Sequence, residues 1–173
     1  MDRELLAADV NDACRLQGRF QLRSGQVSHE YFDKYLFESD PQLVRRVCEA
    51  MVPLIPADTD LLGGLELGGV PLATVLSQLT GMPTLFVRKA AKTYGTCRLA
   101  EGADIAGKAI TLIEDVITTG GAVRDATQAL RSEHATVSTV ICAINRSADP
   151  TAVLRDVALT VRAVLTKDDL DNI

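Results

Sequence analysis

The sequence predicts an α/β protein with a central, mainly parallel sheet flanked by helices. Three observations carry that prediction. Apolar runs such as "AITLIED" (109–115) and "TVSTVICAIN" (136–145) suit strands covered on both faces. Segments with helical periodicity alternate with these runs, the order that builds a parallel sheet. The strands also run into glycine or polar residues, where such sheets bind ligands.

Taken in order, Asp2 to Leu16 has apolar residues at helical spacing and good helix formers. Arg19 to Phe37 alternates apolar and polar residues around Ser24-Gly25, the pattern of short strands joined by turns. Pro41 opens a helix that "QLVRRVCEAMV" continues. "DLLGGLEL" (60–67) is a strand running into glycines, and "PLATVLSQLT" (71–80) is a helix closed by Gly81. "PTLFVRK" and "AITLIED" are strands, a helix begins near Gly120, and "TVSTVICAIN" is a further strand. The strand ends of interest are therefore Gly68-Gly69, Arg88-Lys89, Glu114-Asp115 and Asn145-Arg146. No repeat, low-complexity tract or linker interrupts the chain, so residues 1–173 are expected to form one domain.

Composition narrows the function. No uncharged apolar run approaches the ~18 residues of a membrane span, and the first residues lack a signal-peptide core. A cytoplasmic protein with no membrane partner is expected. Cys14, Cys48, Cys97 and Cys142 are scattered without metal-ligand spacing, which predicts free thiols. A net charge of −5 and 4% aromatic residues argue against a nucleic-acid partner. From Leu67 to Ala100, however, there is no Asp or Glu, while Arg88, Lys89, Lys92 and Arg98 fall there. A local basic site on an acidic protein fits a small polyanion.

"TLIEDVITTGG" (111–121) supplies the partner feature. A glycine turn at a helix N-terminus offers free amide groups and the positive end of the helix dipole to an anion. Glu114 and Asp115 would repel a bare phosphate. They suit a sugar phosphate, whose hydroxyls they can accept from, and could help hold a divalent cation. The alternative is that they only cap the following helix. There is no GxxxxGK[ST], and "GGLELGG" does not satisfy GxGxxG.

"TLIEDVITTGGA" resembles the phosphoribosyl-pyrophosphate (PRPP) motif of type I phosphoribosyltransferases. "FQLRSGQVSHEYFD", "FVRKAAKTYGTCRLAEG" and "AINRSAD" resemble, in the expected order, the N-terminal segment, mobile loop and arginine-bearing strand end of orotate phosphoribosyltransferases. The chain is identified as a member of that family. The resemblance implies the type I phosphoribosyltransferase fold, with an N-terminal hood from about residues 1–40. It implies a Mg²⁺-dependent transfer from PRPP to orotate, and a homodimer whose mobile loop reaches the neighbouring site.

The resemblance also places roles. PRPP falls to Arg88, Lys89, Lys92 and Tyr94, to Gly68 and Gly69, and to Glu114, Asp115, Val116, Ile117, Thr118, Thr119, Gly120, Gly121 and Ala122. Lys92, Tyr94 and Asp115 are the catalytic candidates. Orotate falls to Thr118, Arg146, Arg23, Tyr31 and Phe32. No direct protein ligand for Mg²⁺ is implied; PRPP holds it, with Glu114 and Asp115 reached through water. Tyr94 stands where the family often has histidine and Asn145 where it has aspartate; the "ELGGVP" loop lacks a frequent lysine. For Tyr31 and Phe32, ordinary core packing is the competing expectation. Another nucleobase, or a PRPP-sensing regulator without catalysis, are the alternative functions.

Overall fold

The computed structural model describes residues 2–21, 25–90 and 99–173. Helix α1 (Arg3–Cys14) starts where the Asp2 carboxylate accepts from the Glu4 amide, and it buries Leu6, Ala7, Val10 and Cys14. An antiparallel hairpin follows, β1 (Arg15–Gln21) and β2 (Val27–Phe32). The alternating pattern reads as extended through Phe37, but the chain turns helical earlier, at α2 (Tyr35–Ser39). The reason is local: the Asp33 carboxylate accepts from the Tyr35 amide at 3.1 Å and turns the chain. Asp40 then caps α3 (Pro41–Met51) through the amides of Gln42 and Leu43, with Pro41 in the first turn.

The sheet consists of β3 (Leu61–Leu65), β4 (Thr84–Val87), β5 (Ala100–Glu101), β6 (Ala109–Ile117), β7 (Thr136–Asn145) and β8 (Thr160–Thr166). Its order is β5-β4-β3-β6-β7-β8, and every pair is parallel except β4 with the two-residue β5. Neither β5 nor β8 stands out from the sequence pattern. Helices α4 (Gly69–Thr80) and α5 (Gly121–Ser132) follow β3 and β6, and α6 (Lys167–Asp171) closes the chain under a Thr166–Asp169 capping box. Two apolar cores lie against the sheet. One joins α1, α3 and α4 to Ile113 and Ile141, and the other joins α5 to Leu85, Leu112 and Val140.

The strand order reverses between β3 and β6, where open α/β sheets leave a crevice for ligands. The four polar strand ends belong to the adjacent strands β4, β3, β6 and β7. At the crevice α4 touches the sheet backbone to backbone. A Cβ on Gly69 would lie 2.2 Å from the Ile113 carbonyl oxygen, and one on Gly68 would lie 1.7 Å from Asp115 Oδ2. The glycines that the sequence marks for close approach to a ligand are thus also required by packing.

Candidate active site

The end of β6 forms a turn before α5. Gly120 has φ of 74°, a left-handed conformation that admits glycine readily. The turn and the first residues of α5 surround a hollow of about 180 Å³, lined by Glu114 and by residues 116–123. All the residues assigned to the motif, apart from Asp115, border this hollow. Arg124, one helical turn on, donates to the Thr119 carbonyl at 2.6 Å and to Asp156 at 2.7 Å. It also donates to the Val153 carbonyl, so one guanidinium straps the turn to the segment after β7.

Asp115 points elsewhere. Successive side chains of a strand alternate, and its carboxylate, wholly buried, sits beneath Gly68 in an ion pair with Lys34. Glu38 lies one helical turn beyond Lys34 and also faces Asp115. Burial, and then the hydrogen bond to Asp115, raise the Glu38 carboxyl to about 8 and the Glu114 carboxyl to about 9. Burial alone would raise Asp115 too, but hydrogen bonds from Glu114, Lys34 and Glu38 outweigh it and hold Asp115 low. The quartet therefore keeps one ionised carboxylate at neutral pH, opposite one ammonium.

On the next strand, the Arg146 amide donates to the Ile117 carbonyl at 2.8 Å, which ties the end of β7 to that of β6. The Arg146 guanidinium lies 5.0 Å from the centre of the Phe32 ring. Tyr31, Phe32 and Arg146 share a hollow of about 300 Å³ with Arg15, Ser28 and Glu30. Tyr31 is 44% exposed and rests against Phe20, so it is no core residue. A third cleft, of about 590 Å³, is bordered by Glu66, Arg88, Lys89, Gly121, Ala122 and Asp125. The Arg88 Nε is buried there with no acceptor among the described residues.

No family model matches the chain. An orotate phosphoribosyltransferase of Nocardioides sp. is 66% identical over 166 residues, covering 96% of this chain and 93% of the relative. The chain belongs to the orotate phosphoribosyltransferase family. A crystal structure of the Mycobacterium tuberculosis orotate phosphoribosyltransferase with Fe(III) dicitrate matches with a TM-score of 0.86 and 30% identity, covering 98% of this chain and 99% of that one. The same enzyme in complex with PRPP matches with a TM-score of 0.82 and 27% identity, covering 99% of each chain. The fold is that of the type I phosphoribosyltransferases.

Of the residues that the family resemblance singles out, Arg23, Lys92 and Tyr94 lie outside the described residues, as does Cys97. Cys14, Cys48 and Cys142 are free thiols; burial raises the first two to about 11 and about 12, and the third further. Gly68-Gly69, Arg88-Lys89, the 114–122 turn and Arg146 stand at the ends of the adjacent strands β3, β4, β6 and β7. The turn hollow and the Arg88-Lys89 cleft share Gly121 and Ala122, and Arg146 borders a separate hollow with Tyr31 and Phe32. Thr118 borders the turn hollow, next to the Ile117 carbonyl that anchors Arg146. Asn145 is buried, and its Oδ1 accepts from the Ser147 amide at 3.1 Å and hydroxyl at 2.6 Å. Asn145 Nδ2 donates to the Pro150 carbonyl at 3.4 Å, the one contact here that an aspartate could not make. Sequence reasoning missed Lys34, Glu38 and Arg124. The i,i+4 spacing of Lys34 and Glu38 next to Tyr31-Phe32 was the available signal.

Proposed function

We propose that the chain transfers the phosphoribosyl group of PRPP to orotate, giving orotidine 5′-monophosphate and pyrophosphate in de novo pyrimidine synthesis. The observation that carries this reading is the junction of β6 and β7. It sets the glycine turn that opens α5 beside an arginine that faces an aromatic ring. The Thr118–Ala122 turn holds the 5′-phosphate with backbone amides. Glu114 and Asp115 accept from the ribose hydroxyls. Arg146, Arg23, Tyr31, Phe32 and Thr118 hold orotate, whose carboxylate and carbonyls suit a planar guanidinium fork.

The C1′–O bond to pyrophosphate breaks and a C1′–N bond to orotate forms, with positive charge developing on the ribose ring and the proton of the orotate nitrogen passing to the departing pyrophosphate or to water. Arg88, Lys89, Lys92 and Tyr94 meet the leaving pyrophosphate, as does the Gly68-Gly69 backbone. Catalysis is then positioning and electrostatics, with no covalent nucleophile. Among the described residues no three His, Cys, Asp or Glu side chains form a cation site, and Lys34 occupies Asp115. Glu114, which borders the turn hollow, is the carboxylate placed to reach a Mg²⁺ ion held by PRPP through water. Bound, the ion would neutralise charge on the pyrophosphate.

We further propose a cytoplasmic homodimer with shared active sites and with the hood contributed by about residues 1–40. The exposed Val27, Tyr31, Tyr35 and Leu36 on the hairpin and α2 support a covered face. Sedimentation of the active enzyme as a strict monomer would refute the dimer. The catalytic reading is tested by the fall in orotate absorbance with PRPP and Mg²⁺, with uracil, hypoxanthine and adenine run in parallel. Turnover of orotate alone is expected. Turnover of another base instead would move the assignment, and PRPP binding without any turnover would make the chain a PRPP sensor.

A further inference from the structure

Lys34 is half-buried, with 33% of its side chain exposed, yet its ammonium turns away from solvent toward the wholly buried Asp115. Three acids converge there from two elements: Glu38 from α2, and Glu114 and Asp115 from β6. Asp33 adds a further negative charge nearby, and Lys34 is the cation the described residues place among them. Its ammonium also stands 5.3 Å from the centre of the Tyr35 ring. Asp115 Oδ2 and Glu38 Oε1 are both buried, and the Lys34 ammonium is the group that meets Asp115 Oδ2 in an ion pair. Without Lys34 the buried Asp115 carboxylate would lose the one cation the described residues set against it, and a buried charge left without its partner is strongly disfavoured.

The same short segment serves the neighbouring side of the site. Phe32, two residues before Lys34, stacks against Arg146. The stretch from 32 to 38 therefore joins the arginine at the end of β7 to the carboxylate at the end of β6.

We propose that Lys34 is a positioning residue of the transfer reaction, whose ammonium holds the Asp115 carboxylate in place for the ribose of PRPP. Glu38 is its companion, limiting where the carboxylate can move. Part of this rests on the PRPP reading of the site.

Calorimetry of Mg·PRPP binding, with steady-state kinetics alongside, tests the proposal. Lys34→Met is expected to weaken PRPP about ten- to thirtyfold, a buried-pair loss discounted for partial exposure. The KM for PRPP should rise by the same factor and that for orotate by less than twofold. Lys34→Arg should retain affinity within about threefold, since a cation still reaches the carboxylate. Glu38→Gln added to Lys34→Met should recover part of the loss above about pH 8, where the Glu38 carboxyl would ionise but the amide still donates to Asp115, and little at about pH 7. This pair also keeps the test open if Lys34→Met alone folds poorly. Unchanged or tighter PRPP binding in Lys34→Met, or Lys34→Arg no better than Lys34→Met, would overturn the role of Lys34 alone. Wild-type protein that fails to bind Mg·PRPP would overturn the PRPP reading with it.

Discussion

The turn after β6 and the acid cluster beside it lie within one strand end, yet they are built on opposite principles. The turn offers backbone amides whose positions follow from Gly120 and the start of α5. The cluster is made of side chains from α2 and β6, and its charge state exists only because they meet. A site made of backbone tolerates side-chain change but not added bulk. A site made of paired charges tolerates bulk better than a change of charge.

Four substitutions break or sharpen that contrast. The largest effect is expected at the backbone contact. Gly69→Ala would push a methyl group against the Ile113 carbonyl, which cannot move aside. It should cost about 3 kcal/mol of stability, read as a lower denaturation midpoint at constant m. A midpoint equal to wild type would show that α4 can lift from the sheet. Next comes Asp115→Asn, which removes the charged acceptor. PRPP affinity should fall about ten- to hundredfold, measured by calorimetry, and equal affinity would remove Asp115 from the ribose site.

Arg124→Gln addresses the turn from outside. It removes the donor to Thr119 without altering an atom of the hollow. The KM for PRPP should rise about three- to tenfold while that for orotate stays constant. A rise in both would mean that the strap also sets the loop carrying Arg146.

The smallest effect concerns pH. The Glu38 carboxyl titrates near 8 in the fold, against about 4.3 in the unfolded chain. Its contribution to stability is therefore complete in acid and is lost as pH rises from about 4.5 to 8. Glu114 acts in the same direction up to about 9. Asp115, held low, contributes above its unfolded value and loses that contribution only as pH falls toward acid. Wild-type stability should thus decline across the neutral range, and Glu38→Gln should flatten the decline. Parallel curves for the two proteins would show that Glu38 is ionised throughout.

Much of this was legible in one dimension. The apolar runs of β6 and β7 could only be buried strands, and "TTGG" before an amphipathic segment could only be a turn at a helix start. Helix α3 announced itself through Pro41 and the periodicity after it, because the preference of proline for a first helical turn is local. The helical turn at Tyr35 escaped because one aspartate side chain, Asp33, overrides the alternating pattern around it. The strand β8 escaped because its burial comes from β7 and not from a periodicity of its own.

The sequence by itself determined the fold class, the alternation of β3, α4, β4, β6, α5 and β7, and the glycine turn before α5, because each rests on periodicity or on contacts between near neighbours. Only the tertiary structure decided which groups face Asp115. Lys34, Glu38 and Gly68 reach it from distant parts of the chain, and the energies that set its charge depend on distance and burial. Neither quantity is written in the order of residues.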